Sequence, residues 1–433
     1  MSNDSNNQWN RRKFLQGSTA AVGSVAAGGL LPGVMTSAFA SSNGKPETQS
    51  AKLGFIALTD AAPLFVAYEK GFFKKHGMDD VQVLKQSSWG ATRDNLDLGS
   101  QRGGIDGGHI LTPMPYLMSS GTRSSTTPMY ILARLNLAGQ CISVGNEYKD
   151  LKVGTDTTEF AKALAAKQAK GDATRAAMTF PGGTHDLWIR YWMAAGGIDP
   201  NGDIATITVP PAQMVANMRV GSMDTFCVCE PWNEQLINQN IGYTANTTGE
   251  LWHNHPEKAF TLRADYVDAN PNAAKALTMA IMEAQMYCEK PENKEEVARI
   301  CSKRRWIHAP YADIIERMKG NFDYGTGRVV ENHPDQMRYW NDHASYPFKS
   351  HDLWFITENK RWGYLPRDFD GEALVSQVNR EDIWRDAAAT LGIDAKDIPD
   401  SSSRGKETFF DGKVFDPEDP DAYLDSLDIK HYA

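Results

Sequence analysis

The chain has 433 residues and is acidic, with 45 Lys+Arg against 54 Asp+Glu and a formal net charge of −9. That balance argues against nucleic acid as a partner, because phosphate backbones are met by basic patches. After the N-terminal segment no run of about 18 unbroken apolar residues occurs, so the mature chain is expected to be soluble and not membrane-embedded.

The first forty residues read as a targeting segment. Asn10-Arg11-Arg12-Lys13-Phe14-Leu15-Gln16 is a twin-arginine pattern, and a weakly apolar, Gly- and Ala-rich run from Gly17 to Val34 follows it. Ala38-Phe39-Ala40 supplies an A-x-A cleavage site, so the mature protein is expected to start near Ser41 and to be exported folded. The first cysteine is Cys141, which leaves no lipid-anchoring thiol near the cleavage site. Removing residues 1–40 takes away three basic residues and one acidic one, leaving 42 against 53 and a mature net charge of −11. Any anion site must therefore be built locally against the net field.

The remaining chain, roughly 390 residues, is enough for two domains. Lys52 to Leu58 reads as a strand, Asp60-Ala61-Ala62-Pro63 opens a helix with Asp60 near its cap, and Val81 to Leu84 is the next strand. This alternation predicts an α/β fold with largely parallel sheets. Ser87-Ser88-Trp89-Gly90 follows a strand end, where such sheets bind ligands. Trp89 either offers its indole N–H there or packs the loop down. His109, near the next strand, reads as structural. Met129 to Leu135 and Gln140 to Val144 are strands with a lobe crossover near them, and Phe160 to Lys170 is a helix.

Met178-Thr179-Phe180 then feeds Pro181-Gly182-Gly183-Thr184-His185-Asp186-Leu187-Trp188. Strand, glycine turn and helix start can hold an anion on free N–H groups, with Thr184 as the expected N-cap and His185 adding a donor. Ile204 to Val209 is a strand ending at Pro210-Pro211, and Gln213 to Val220 is a helix. Thr225 to Cys229 is an apolar strand leading into Glu230-Pro231-Trp232. Ile241 onward is expected to return to the first lobe.

His253 and His255 stand two apart without an obvious third ligand, which favours a structural role over a metal. Lys258 precedes the apolar strand Ala259 to Leu262; placed there it is either a surface lysine or a buried one that needs an anionic partner. Asn272 to Glu289 and Lys294 to Lys303 are helices, and an aromatic, irregular region follows. The five cysteines Cys141, Cys227, Cys229, Cys288 and Cys301 cannot all pair; a Cys288–Cys301 bridge is open, and packed thiols are expected elsewhere. No Gly-x-Ser-x-Gly elbow, His-Glu-x-x-His or dinucleotide Gly-x-Gly-x-x-Gly is present, which favours a binder over an enzyme.

Several motifs occur together: Ser-Trp-Gly-Ala-Thr-Arg-Asp-Asn (88–95), Phe-Pro-Gly-Gly-Thr-His-Asp-Leu-Trp-Ile-Arg-Tyr-Trp (180–192), Glu-Pro-Trp-Asn (230–233), His-Pro-Glu-Lys (255–258) and Phe-Asp-Pro-Glu-Asp-Pro (415–420). With them the chain closely resembles, over nearly its whole mature length, the nitrate/bicarbonate-binding (NrtA/CmpA-type) components of bacterial ABC importers. The resemblance implies a two-lobed, C-clamp (type II) periplasmic-binding-protein-like α/β fold. It implies capture of nitrate, with nitrite, and delivery to an inner-membrane ABC permease driven by a cytoplasmic ATPase.

Carried across by position, it implies a nitrate pocket of Trp89, Gly90, Gln140, His185, Pro211, Val228, Cys229, Glu230 and Lys258. In the bicarbonate-binding relatives an acidic residue that helps hold calcium stands where this chain has Lys258. Lysine there points to nitrate, with no metal and no cofactor. Relatives carry glycine at the position of Cys229, and many have a lipid-anchoring cysteine that is missing here. The expected division is lobe 1 over 41–142 and 244–320, lobe 2 over 143–243, and a C-terminal extension, 321–433, packed on lobe 1. Alternatives are bicarbonate, cyanate or an organic sulfonate as ligand; a cytoplasmic nitrate sensor acting through a partner protein, which the leader argues against; and an enzyme akin to those of thiamine-pyrimidine synthesis, using a histidine with Cys227 and Cys229.

Overall fold

Ten strands assemble into two five-stranded sheets, and the chain passes between the sheets twice. A computed structural model describes residues 44–122 and 125–433; the leader expected at 1–40 lies outside them. The strands are β1 (Ser50–Phe55), β2 (Asp80–Lys85), β3 (Gly107–Leu111), β4 (Met129–Arg134), β5 (Gln140–Gly145), β6 (Arg175–Met178), β7 (Ala205–Thr208), β8 (Thr225–Cys229), β9 (Gly242–Thr247) and β10 (Lys258–Arg263). The first sheet has the order β2-β1-β3-β10-β4 and the second β7-β6-β8-β5-β9.

Both lobes thus repeat one topology, in which three parallel strands are followed by one that enters from the other lobe. That strand runs antiparallel. β10 is antiparallel to β3 and β4, and β5 is antiparallel to β8 and β9. The sheets are therefore mixed, not largely parallel. The reason is geometric: a lobe's own βα units end at the lobe boundary, whereas a strand arriving from the other lobe starts there and runs away from it. Gln140, the first residue of β5, accordingly pairs with Cys229, the last of β8.

This pairing moves the expected crossings. The 142/143 division cuts β5, which lies wholly in the second sheet. β9 stays there too, pairing Thr244 with Ser143, so the return to the first lobe falls between Thr247 and Lys258 and not at Ile241. All five cysteines are free and buried, Cys288 and Cys301 included.

The region after 320 does not sit on lobe 1 alone. Its helix Lys349–Arg361 is buried along almost its whole length, because it wedges between the two lobes' layers. Towards lobe 1, Arg134 donates to Asp352 at 2.6 Å with both side chains buried. Towards lobe 2, Trp354 stacks on Trp188 with centroids 4.9 Å apart. Tyr191 meets Phe409 edge-on and donates to Asp411 at 2.9 Å. Truncating a buried tryptophan in such a stack costs about 3–5 kcal/mol. Trp354→Ala is therefore expected to lower the unfolding free energy by that amount, read as a lower denaturant midpoint at unchanged slope; an unchanged midpoint would mean that the extension does not hold the lobes.

Candidate functional site at the lobe boundary

The glycine turn sets one wall. β6 ends at Met178, Gly183 N–H donates to the Phe180 carbonyl at 3.0 Å, and Gly182 takes φ +71°. A Cβ at Gly182 would stand 2.5 Å from Asn359 Oδ1, so only glycine lets the extension close over this turn. The helix that follows, Thr184–Ala195, has Gly183 and not Thr184 as its N-cap. The Thr184 hydroxyl instead donates to Glu257 at 2.6 Å. The turn is not an open anion cradle either. Asp186 Oδ2 accepts from Gly182 N–H at 2.8 Å and from Tyr364 at 2.6 Å, and Oδ1 pairs with Arg190 at 2.7 Å. A carboxylate of the chain already occupies the positive end of this helix.

What the turn does present is His185. Its ring is fully buried and Nδ1 lies 2.5 Å from the Thr179 hydroxyl. With Thr179 donating, the ring hydrogen sits on Nε2, which has no partner among the described residues. Burial, with Lys258 adding to it, holds the imidazole well below its usual pKa, so it is a neutral donor.

Lobe 1 supplies the opposite wall. Ser88 caps the helix Trp89–Leu98, its hydroxyl accepting from Ala91 N–H at 3.1 Å. This fixes Trp89 in the first turn, where its indole is fully buried and Nε1 has no partner among the described residues. The Trp89 ring lies 5.3 Å from that of His109 on β3. His109 Nδ1 accepts from Ile56 N–H at 3.4 Å, and Nε2 donates to Asp60 Oδ1 at 2.7 Å. Asp60 Oδ2 in turn lies 2.8 Å from the Lys258 ammonium at the start of β10.

Lys258 is thus buried, and it is not a lone counter-charge. Nζ also donates to Glu257 Oε1 at 2.5 Å. Burial works against the charge on Lys258, but Asp60 and Glu257 outweigh it and raise its pKa. Burial would likewise raise Asp60; Lys258 and His109 overcome it and hold that carboxyl well below the usual range. At Glu257 burial wins and pushes the carboxyl up despite Lys258. Asp60 is the carboxylate firmly ionised, and Glu257 stands closer to its protonated form. The ammonium donates a hydrogen bond to Glu257 and is ion-paired with Asp60.

The nine residues expected in the pocket separate into groups. His185 and Lys258 are near each other, since the charges that His185 feels are those of Lys258, Asp60 and His109, and Trp89 packs by His109. Gly90 is the next residue in the Trp89 helix turn. Cys229 joins them from β8, with Sγ 3.9 Å from the Thr59 hydroxyl. The Gln140 amide does not offer an open donor, because it donates to Thr184 at 3.2 Å and to Glu257. The Glu230 carboxylate turns away, accepting from Arg317 at 3.0 Å and from the Cys141 thiol at 3.3 Å. Its backbone carbonyl faces lobe 1 instead and accepts from Thr59 N–H at 2.9 Å. Val228 and Pro211 are buried, and no hydrogen bond of the cluster reaches either among the described residues.

Sequence reasoning passed over Asp60, His109 and Glu257 as site members. Asp60 looked like a helix cap, and Glu257 was visible only as the neighbour of Lys258. The two histidines at 253 and 255 diverge: His253 meets Asp335 at 2.6 Å, and His255 contacts Thr248 at 2.7 Å and the Pro256 carbonyl at 3.0 Å.

Chemically the arrangement presents donors to something that accepts hydrogen bonds. Burial pushes the Cys227 and Cys229 thiols well up, the opposite of an activated nucleophile. No group of three or more His, Cys, Asp or Glu side chains among the described residues is arranged to hold a metal ion. No helix among them is long and apolar enough to cross a membrane.

The profile of the NMT1-like family matches residues 44–302. The chain is 58% identical to the nitrate/nitrite binding protein NrtA of Synechocystis, over 97% of each protein. A crystal structure of the periplasmic nitrate-binding protein NrtA from that organism superposes with a TM-score of 0.87 at 62% identity, covering 89% of this chain and 100% of that one. The bicarbonate-binding protein CmpA of Synechococcus elongatus is 43% identical over 89% of this chain and 88% of its own length. The nitrate import ATP-binding protein NrtC of Synechocystis is 32% identical over 87% of this chain and 55% of that protein. The structural match gives the chain the two-lobed α/β periplasmic-binding-protein fold expected from its sequence.

The buried histidines set a pH dependence. His255 is pulled down to about 3, by burial first, and burial also lowers His109 and His185. A depressed folded-state value gives stability that is full above the unfolded value near 6.5 and is lost as pH falls towards the folded one. A histidine with a folded value as low as that of His255 costs about 2 kcal/mol between pH 6.5 and 5. The melting temperature is expected to fall over that interval, less steeply in His255→Gln; a flat profile would contradict the buried neutral assignments.

Proposed function

The chain belongs to the NMT1-like family, in its NrtA/CmpA-type branch, and we propose that it is a solute-binding protein that captures nitrate, and nitrite, between its two lobes. It delivers the ion to an ABC-type permease driven by a cytoplasmic ATPase.

One observation carries this reading. Trp89 Nε1 and His185 Nε2 are buried donors on opposite lobes without partners among the described residues; His185 feels the Lys258 charge, and the Trp89 ring packs by His109, which bonds the Asp60 partner of Lys258. A buried donor left unsatisfied costs about 1–3 kcal/mol. An ion held between them relieves both costs and joins the lobes. Nitrate has no proton and only accepts hydrogen bonds, which matches a set of donors. Bicarbonate also needs an acceptor for its O–H, and a lysine at 258 contributes no metal ligand. The higher identity to NrtA than to CmpA supports the same choice. The likeness to NrtC supports the transporter context. The raised pKa values of Cys227 and Cys229 weigh against the enzyme alternative.

The decisive experiment is calorimetric titration of the mature protein with nitrate, nitrite and bicarbonate, each with and without calcium. Saturable binding of nitrate and nitrite without calcium is expected; binding of bicarbonate alone would overturn the proposal. Lys258→Glu is expected to abolish nitrate binding. Trp89→Phe, which keeps most of the buried ring, is expected to weaken it by about tenfold through the lost donor while the fold persists.

Export by the twin-arginine route completes the proposal. Arg11→Lys with Arg12→Lys is expected to leave the protein in the cytoplasm, read by periplasmic extraction. A wild-type protein that fractionates with the cytoplasm would favour the sensor alternative.

A further inference from the structure

A second cluster of cations lies away from the lobe boundary. A cleft of about 400 Å³ opens between the helix Lys294–Ser302 and the segment 332–341, with Lys319 on its wall. Lys294 lines it while only 7% exposed. Its ammonium forms no hydrogen bond or ion pair among the described residues; it lies over the face of the Tyr339 ring, 5.2 Å from the centroid, within reach of the Glu289 charge. A buried ammonium without an anion is costly, and a cation–π contact of about 0.5–2 kcal/mol offsets only part of that.

The surroundings add positive charge and donors. Arg338 and Lys319 line the cleft, their carboxylate partners Asp342 and Glu295 being 50% and 58% exposed. Asn332, Gln336 and Asn341 contribute three carboxamides. The one acidic group on the wall, Glu289, is already engaged, accepting from Tyr339 N–H at 2.6 Å and Trp340 N–H at 3.0 Å. Arg338 and Lys319 each have an exposed carboxylate partner, whereas Lys294 has no hydrogen-bonded or ion-paired one among the described residues. Burial lowers the Lys294 pKa and outweighs the opposing pull of the Glu289 charge.

We propose that this cleft is a second anion site, distinct from the nitrate pocket, which takes a small oxyanion bearing a carboxylate or phosphoryl group on Lys294, with Arg338 and Lys319 at its rim. The cleft is larger than nitrate requires and suits a multiply charged ligand. Tyr339, whose ring lies against Lys294, donates its hydroxyl to the Thr59 carbonyl at 2.9 Å, so the site adjoins the turn that carries Asp60.

The test is calorimetric titration of the mature protein with inorganic phosphate and, separately, with citrate, each in the presence and absence of saturating nitrate. Saturable binding of one of the two with nitrate present is expected, phosphate and citrate separating phosphoryl from carboxylate ligands. Lys294→Met is expected to weaken it by about tenfold or more, since a charge-assisted hydrogen bond is lost, and Arg338→Gln by less. Lys294→Met should keep its melting temperature and nitrate affinity, because methionine fills the buried stem. Absence of saturable binding of both probes, or equal affinity in wild type, Lys294→Met and Arg338→Gln, would overturn the site.

Discussion

The lobes meet around one buried ammonium. Lys258 begins the strand that re-enters lobe 1, and its charge is shared between Asp60, from the turn Thr59–Ala61, and its own neighbour Glu257. Taking an ammonium and a carboxylate out of water costs several kcal/mol for each ion unless they are paired and hydrogen-bonded. Here the pairing also organises the second lobe. Glu257 receives the Gln140 amide from β5, the Thr184 hydroxyl from the helix start, and the Trp188 indole at 3.4 Å. The ion pair at the lobe boundary thus also fixes the groups around it.

Closure is reinforced beside the pocket by bonds that do not touch it. Thr59 N–H and its hydroxyl donate to the Glu230 carbonyl, and the Trp232 indole donates to the Ala57 carbonyl at 3.1 Å. The Glu230 loop is itself braced from behind. Arg317, on the helix Ala312–Lys319, ties Glu230, Glu234 at 2.8 Å and the Thr244 hydroxyl at 3.1 Å into one buried network. The family motif residue Glu230 therefore acts in this structure through its backbone, while its carboxylate belongs to the scaffold.

What could be read from the sequence follows the range of the interactions. The strand Thr225–Cys229 was legible to the residue because its apolar run is bounded by polar and turn residues. Trp89, His185 and Lys258 were legible as candidates because each stands at a strand end or helix start, where a local pattern marks it. Asp60 and Glu257 were not, since their roles come from partners at 258, 109, 140 and 184 that no local pattern connects to them. The same holds for β9: its sequence fits a strand, but only pairing with β5 places it in lobe 2. The extension was misplaced for a related reason. An aromatic-rich helix declares that it is buried without declaring against what, and the Trp188–Trp354 stack decides that across more than 160 residues.

The pocket's chemistry also explains how an acidic protein can hold an anion. The long-range field of a chain carrying −9 repels nitrate, and the ammonium in the site is already matched by Asp60. Net positive charge is therefore not the holding force. Neutral donors are: an indole N–H and an imidazole N–H that burial keeps uncharged, each fixed by a bond on its far side or by the helix that carries it. Such donors lose little in reorganising around the ion, because packing has already oriented them, and the low local dielectric strengthens every hydrogen bond they make. Selection then rests on what the ligand lacks. An ion with acceptors on every edge satisfies these donors, whereas one that carries its own hydrogen must turn it towards a carboxylate already paired with Lys258.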